Sequence, residues 1–255
     1  MAGDYVKDWE QLGAADPYFA VLTNQRFQRE NLSEDALRDF FTSGQHYIDF
    51  LFQLIRTHLD VNFQPVRTLD FGCGVGRLTV PLSANSTSVV ACDASVNMLL
   101  EAKRNCEARG ISNVEFVRSD DYLSEIKGPF DFINSFIVFQ HIPRRKGERL
   151  VQALLERLQD NGIGALHFTY HKATSGARKF VKRLSHSVRL IHWAVNLLEG
   201  RPFNYPMIQM NEYDLNKLCL ILQRNNCHHC LIRFTRHSMH HGALLVFQKK
   251  HFDSL

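Results

Sequence analysis

The chain has 255 residues, 45% hydrophobic and 22% charged, with a formal net charge of +4. That composition is enough to bury a full core, contains no run long and apolar enough to cross a bilayer, and makes one soluble domain the default. The first eight residues are polar and acidic, without the profile of a secretory or transit signal, so cytoplasmic residence is expected. The cysteines (Cys73, Cys92, Cys106, Cys219, Cys227, Cys230) are few for this length, and several sit inside expected strands or helices, so they read as reduced thiols. Positive charge is concentrated between His171 and Arg201.

In chain order, residues 1–62 read as a helical, aromatic-rich cap, with Tyr47, Ile48, Leu51, Leu54 and Ile55 on one helical face. From Val66 onward, apolar runs alternate with amphipathic stretches. Strands are expected over Val66–Phe71, Ser88–Asp93, Val114–Ser119, Phe130–Phe136 and Ile163–Tyr170, with helices after the first, second and fourth. The clearest helix is Ser95–Arg109, with Ser95 as N-cap and Gly110 as stop. Gly147–Gln159 is the next, closed by Asp160-Asn161-Gly162. After residues 173–210, a helix over Glu212–Arg224 precedes strands over Cys230–Phe234 and Ala243–Lys249, and the short polar loop between those two demands an antiparallel pair. The pattern specifies a parallel sheet covered on both faces.

The most informative segment is Thr68-Leu69-Asp70-Phe71-Gly72-Cys73-Gly74-Val75-Gly76-Arg77-Leu78. A strand ends in an acid, glycines alternate with other residues, and a helix follows. Glycines admit close approach to the backbone, and a helix start offers N–H groups. A dinucleotide fingerprint needs a glycine where Arg77 stands. The acid before the turn would repel a pyrophosphate and could pair with an ammonium group, so a ligand with an amino-acid end fits better.

This segment, with the later runs VVACDAS, VEFVRSDD and FDFINSFIVFQHI, resembles the motif series of class I S-adenosylmethionine-dependent methyltransferases over Thr68–Tyr170. The stretches Trp9–Gly13 and Asp16–Leu22 resemble a segment preceding the domain in some bacterial-type members. The resemblance implies a doubly wound, seven-stranded, mostly parallel α/β sheet of Rossmann-like type and S-adenosylmethionine as cofactor. Asp93, ending the second strand, can accept both ribose hydroxyls, with Ala94 beside it. Asp120 or Asp121 would accept from the adenine amine, with Tyr122 or Met98 against the ring. Asp70, Gly72, Cys73 and Gly74 would surround the methionine part, and Arg77 would approach its carboxylate. The ordinary reading of the acids is a helix cap or turn, and that of Met98 is helix core.

Asn134 and Ser135, with the residues through Pro143, would edge the transfer site. His141 there is the candidate base, with a hydrogen bond to the cofactor or a backbone carbonyl as the plainer role. Methyl transfer can also proceed by alignment alone. Cys227-His228-His229-Cys230 has only one C-x-x-C and its second pair enters a strand, so no metal is expected. Residues 173–210 form an insertion longer than a connection requires, expected as a substrate lid. Within it Arg178–Leu198 reads as a basic amphipathic helix: a lid, a contact for a lipid or anionic substrate, or a dimer contact. The run Asn134-Ser135-Phe136-Ile137 lacks the prolines that go with methylation of a flipped base amine, so nucleic acid is disfavoured as partner. The expectation is a cap over 1–62, a methyltransferase domain over 63–255, and methyl transfer to a small molecule, most often at oxygen. The alternatives are a non-catalytic cofactor-binding protein and an enzyme acting on protein or RNA.

Overall fold

The computed structural model describes residues 5–173, 209–237 and 239–250. Five parallel strands, β1 (Arg67–Phe71), β2 (Ser88–Asp93), β3 (Val114–Arg118), β4 (Phe130–Ser135) and β5 (Leu158–Lys172), are joined by β6 (His229–His237) and β7 (His240–Gln248). The sheet order is β3-β2-β1-β4-β5-β7-β6, with β7 antiparallel to both neighbours. Strand order reverses beside β1, which pairs with β2 on one side and β4 on the other. In open α/β sheets the crevice outside the carboxyl ends of such strands is where ligands bind.

Helices cover both faces. Those preceding the sheet are α1 (Tyr5–Ala15), α2 (Pro17–Val21) and α3 (Glu34–His58), followed through the sheet by α4 (Thr79–Asn85), α5 (Val96–Glu107), α6 (Arg144–Arg157) and α7 (Leu215–Arg224). Ser33 caps α3 by accepting from the Ala36 N–H at 3.2 Å, and acids Glu34 and Asp35 suit its positive end. The expected apolar face holds: Ile48, Leu51, Phe52 and Ile55 are buried with Leu82, Phe132 and Val246. The longest helix of residues 1–62 therefore shares the core of the sheet. On the other face, Leu150, Leu154 and Leu155 of α6 and Leu218 and Leu222 of α7 pack with Ile133, Leu166, Phe168 and Phe247.

Three boundaries differ from the sequence reading. Helix α6 starts at Arg144, directly after Pro143, and Gly147 lies within it. The sequence reading begins the helix at that glycine, but a Cβ there would sit 1.9 Å from the Tyr213 hydroxyl oxygen, so packing demands a glycine inside the helix. Asp160-Asn161-Gly162 does not end an element but lies inside β5, where the pairing with β4 shifts register and Asn161 takes φ 62°. The last two strands run further toward each other than expected, to His237 and from His240, and His237, His240 and His241 pair as strand residues. The insertion read as a lid, with its basic helix over Arg178–Leu198, lies outside the described residues apart from its flanks.

Candidate functional site

At the carboxyl ends of β1, β2 and β4 lies a cavity of about 710 Å³. That is within the range of small-molecule and cofactor sites. Its floor is the glycine turn. Gly72 takes φ 75° and Gly74 φ 54°, and a Cβ on Gly72 would lie 2.4 Å from Val138 Cγ2. The N–H groups of Gly72 and Cys73 both donate to the Cys92 carbonyl, at 2.8 and 2.9 Å, and that of Gly74 donates to Asp93 Oδ2 at 3.0 Å. The turn thus spends these donors internally, and a phosphate would find few left.

Asp93 stands between this turn and α5. Its second oxygen accepts from the Ser95 N–H at 2.9 Å, and Ser95 Oγ accepts from the Met98 N–H at 3.2 Å, so one short segment caps α5 and fixes the carboxylate. Burial pushes the Asp93 carboxyl up to about 6, against the pull of the backbone N–H groups. Ala94 and Met98 line the cavity beside it, Met98 being also part of the packed core of α1 to α3.

Asp70 lines the floor with both oxygens engaged, accepting from Thr79 Oγ1 at 2.7 Å and from Asn134 Nδ2 at 3.0 Å. Burial raises its pKa. Asn134 and Ser135 are fully buried and stand off the cavity wall, Asn134 behind Asp70; the wall after β4 is made by Phe136, Ile137 and Val138 instead. Ile137 holds φ 62°, unusual for a β-branched residue. Cys73 lines the floor, its thiol raised by burial well above its ordinary range. Arg77 is 7% exposed, donates to Ser43 Oγ at 3.3 Å, and leaves Nε without a partner.

On the β3 side, Asp120 Oδ1 accepts from the N–H groups of Tyr122 and Ser124, at 2.9 and 3.0 Å, and those bonds lower its pKa. It is thus a turn acid as well as a cavity residue. Asp121 is partly buried, but Lys146 and the Tyr5 hydroxyl, which donate to it, outweigh that burial and lower its pKa. Tyr122 sits on the rim, 72% exposed.

His141 lines the opposite wall. Its Nδ1 pairs with the Gln209 carbonyl at 2.9 Å, and since a carbonyl only accepts, Nδ1 carries the proton. Nε2 then accepts from Gln140 Nε2 at 3.1 Å, while Gln140 Oε1 accepts from Thr169 Oγ1 at 2.8 Å. Burial pushes the ring down to about 4. Both nitrogens are committed, which matches the hydrogen-bonding role more closely than that of a base.

Sequence reasoning missed the contribution of α1. Tyr5, Val6 and Trp9 line the cavity, and the Trp9 ring meets His141 edge-on at 4.8 Å. Glu10 ties this helix to α5, accepting from the Val96 N–H and Asn97 Nδ2, each at 2.8 Å. The i, i+4 spacing of Tyr5 and Trp9 was the available signal. The thiols of Cys227 and Cys230, pushed by burial up to about 12, donate to the Asn225 and Leu231 carbonyls. Among the described residues no group of three or more His, Cys, Asp or Glu is arranged to hold a metal, and no helix is long and apolar enough to cross a membrane.

Residues 68–162 match the family model described as a methyltransferase domain. The chain is 28% identical over 145 residues to the tRNA 5-carboxymethoxyuridine methyltransferase of Escherichia coli K12, covering 54% of this chain and 55% of that protein. It is 35% identical over 66 residues to a Campylobacter concisus tRNA/tmRNA (uracil-C(5))-methyltransferase, covering 25% of this chain and 18% of that protein. The chain thus spans little more than half the length of the E. coli relative and less of the other. Among solved structures, the magnesium protoporphyrin IX methyltransferase of Synechocystis PCC 6803 with bound S-adenosylmethionine has a TM-score of 0.59 at 17% identity, covering 95% of this chain and 97% of that one. A Haemonchus contortus phosphoethanolamine N-methyltransferase has a TM-score of 0.54 at 15% identity, covering 73% and 49%. The domain match runs from β1 into β5 across the strand-order reversal, so residues 68–162 form a methyltransferase domain, and the seven-stranded sheet shares its fold with the solved methyltransferase that holds S-adenosylmethionine.

Proposed function

We propose that the protein transfers a methyl group from S-adenosylmethionine to an oxygen of a small-molecule acceptor. The observation that carries this reading is Asp93: a carboxylate at the end of β2, fixed by the N–H groups of Gly74 and Ser95, on the wall of a cavity of ligand size. The glycine turn supports it independently. Side chains are excluded there by Val138 and Val21, and the N–H groups are spent internally, which suits an amino-acid end and not a pyrophosphate.

In this reading Asp93 accepts from the ribose hydroxyls, while Ala94, Met98, Asp120, Asp121 and Tyr122 surround the adenine. Asp70, Gly72, Cys73 and Gly74 face the methionine part, with Arg77 beyond them. The bound cofactor supplies an activated methyl group. The chain's own part is to align the acceptor and exclude water, which alone can give large rate gains. Tyr5, Val6 and Trp9 wall the cavity on one side, and Phe136, Ile137 and Val138 on another. His141, neutral and bonded through both nitrogens, orients the wall and moves no proton.

Calorimetric titration with S-adenosylmethionine, S-adenosylhomocysteine and NAD, repeated on Asp93→Ala, tests the reading. Binding of the two sulfur nucleosides, lost in the variant and absent for NAD, is expected; no binding of either overturns it. An RNA acceptor is the second reading, favoured by the names of the relatives from E. coli and C. concisus. It predicts label transfer to tRNA whose acceptor binding weakens steeply with salt.

A further inference from the structure

Around Phe136, buried polar atoms without partners gather on the sheet face that α3 covers. Arg77 has an orphan Nε, forms no ion pair among the described residues, and has as its charged neighbour Asp70, whose oxygens are engaged by Thr79 and Asn134. The Tyr47 hydroxyl, one turn along α3 from the Ser43 to which Arg77 donates, is also buried without a partner. The Tyr47 ring lies 4.1 Å from Phe136, and His167 lies 4.9 Å from that same ring. His167 is 1% exposed, pairs through Nε2 with Thr235 Oγ1 at 2.7 Å, and leaves Nδ1 unpartnered.

Leaving a guanidinium N–H buried without an acceptor is unfavourable even with a carboxylate nearby, and each orphan donor adds to the cost. An anion with two acceptor oxygens removes both penalties. A carboxylate also suits a site where His141 is already committed through both nitrogens, because a carboxylate nucleophile has no proton to lose.

Resting on the function proposed above, we propose that Arg77 and Tyr47 form the acceptor subsite beside Phe136, and that the acceptor is a carboxylic acid methylated on its carboxylate oxygen. In the transfer a C–O bond forms as the C–S bond breaks, the sulfur keeps the electron pair, and no proton moves. Arg77 Nε and Tyr47 Oη donate to the acid and position it, and Phe136 forms the wall it lies against.

The test uses the full chain saturated with S-adenosylhomocysteine. Acetate, benzoate and phenylacetate are titrated beside their neutral amides, on the wild type, Arg77→Met, Arg77→Lys and Tyr47→Phe, each checked by its melting curve. At least one acid is expected to bind about tenfold or more tighter than its amide, a preference abolished in R77M, partly kept in R77K and reduced in Y47F. Equal binding of acids and amides overturns the proposal. So does a pattern in which R77M weakens S-adenosylhomocysteine but not methylthioadenosine, which lacks the carboxylate, and leaves acid binding intact, since Arg77 then serves the cofactor. Tritiated S-adenosylmethionine with a cell extract gives the chemical readout: methyl esters release volatile methanol in alkali. Label stable to alkali overturns the carboxylate while leaving the methyltransferase reading standing, whereas failure to bind S-adenosylhomocysteine removes that reading itself.

Discussion

Replacing Asp93 by asparagine separates what this residue costs the fold from what it gives the ligand. Burial lifts the carboxyl from its ordinary 3.8 to about 6. At about 1.4 kcal/mol per tenfold change in proton affinity, the ionised form at pH 7 opposes folding by up to about 3 kcal/mol. The sign follows from linkage: the folded state holds a proton that the unfolded state has lost between about pH 4 and 6, so this group makes stability fall as pH rises through that window and stay low above it. Asparagine removes the charge but faces one of the N–H groups of Gly74 or Ser95 with its own amide, losing about 1 kcal/mol. Asp93→Asn is therefore expected to be more stable than the wild type by roughly 1 to 2 kcal/mol at pH 7.5, a rise of several degrees in Tm, and to lose that advantage near pH 4.5. The same variant should bind S-adenosylhomocysteine about a hundredfold more weakly, and wild-type affinity should decline below about pH 6 as the carboxylate is protonated. Melting curves and calorimetry at both pH values read all of this. A variant equally destabilised at both would show that the carboxylate is compensated and the reasoning wrong.

Gly72→Ala places a Cβ 2.4 Å from Val138 at φ 75°, so a loss of at least about 1 to 2 kcal/mol is expected on chemical denaturation, with Val138→Ala relieving part of it; additive effects would contradict the contact. Glu10→Ala removes the acceptor that α1 offers to the start of α5, and should cost about 0.5 to 2 kcal/mol, deprotect the Val96 amide to hydrogen exchange and speed S-adenosylhomocysteine release. With the His141 ring held down at about 4, methyl transfer should show no inflection from this group between pH 6 and 7.5, and His141→Gln should shift the rate without changing the shape of the profile. An inflection lost only in that variant would restore His141 as a base.

The sheet was legible because its strands are short apolar runs bounded by glycines, acids and amphipathic helices, and β1, β2 and β4 fall within a residue or two of their expected positions. Asp160-Asn161-Gly162 misled because turn-forming residues serve equally well in a bulge within a strand. Gly147 misled because its role is set by Tyr213, far away in sequence. Within the site, Asp70, the glycines, Asp93 and Met98 were readable from strand-end spacing and line one cavity. Asn134 and Ser135 are set back because they lie within β4, whose two faces are both covered, with Asn134 bonded to Asp70. Trp9 and Lys146 reach the cavity only through tertiary packing, which local periodicity does not encode.

Ile137 sits on the cavity wall in a conformation that glycine would hold at ease and that a β-branched residue holds at a cost of about 1 to 3 kcal/mol. Selection for heat resistance and selection for turnover would thus pull position 137 in opposite directions, the first toward glycine and the second toward a bulky apolar wall. A search for hardier variants would find its gain there quickly, and find it at the expense of the pocket.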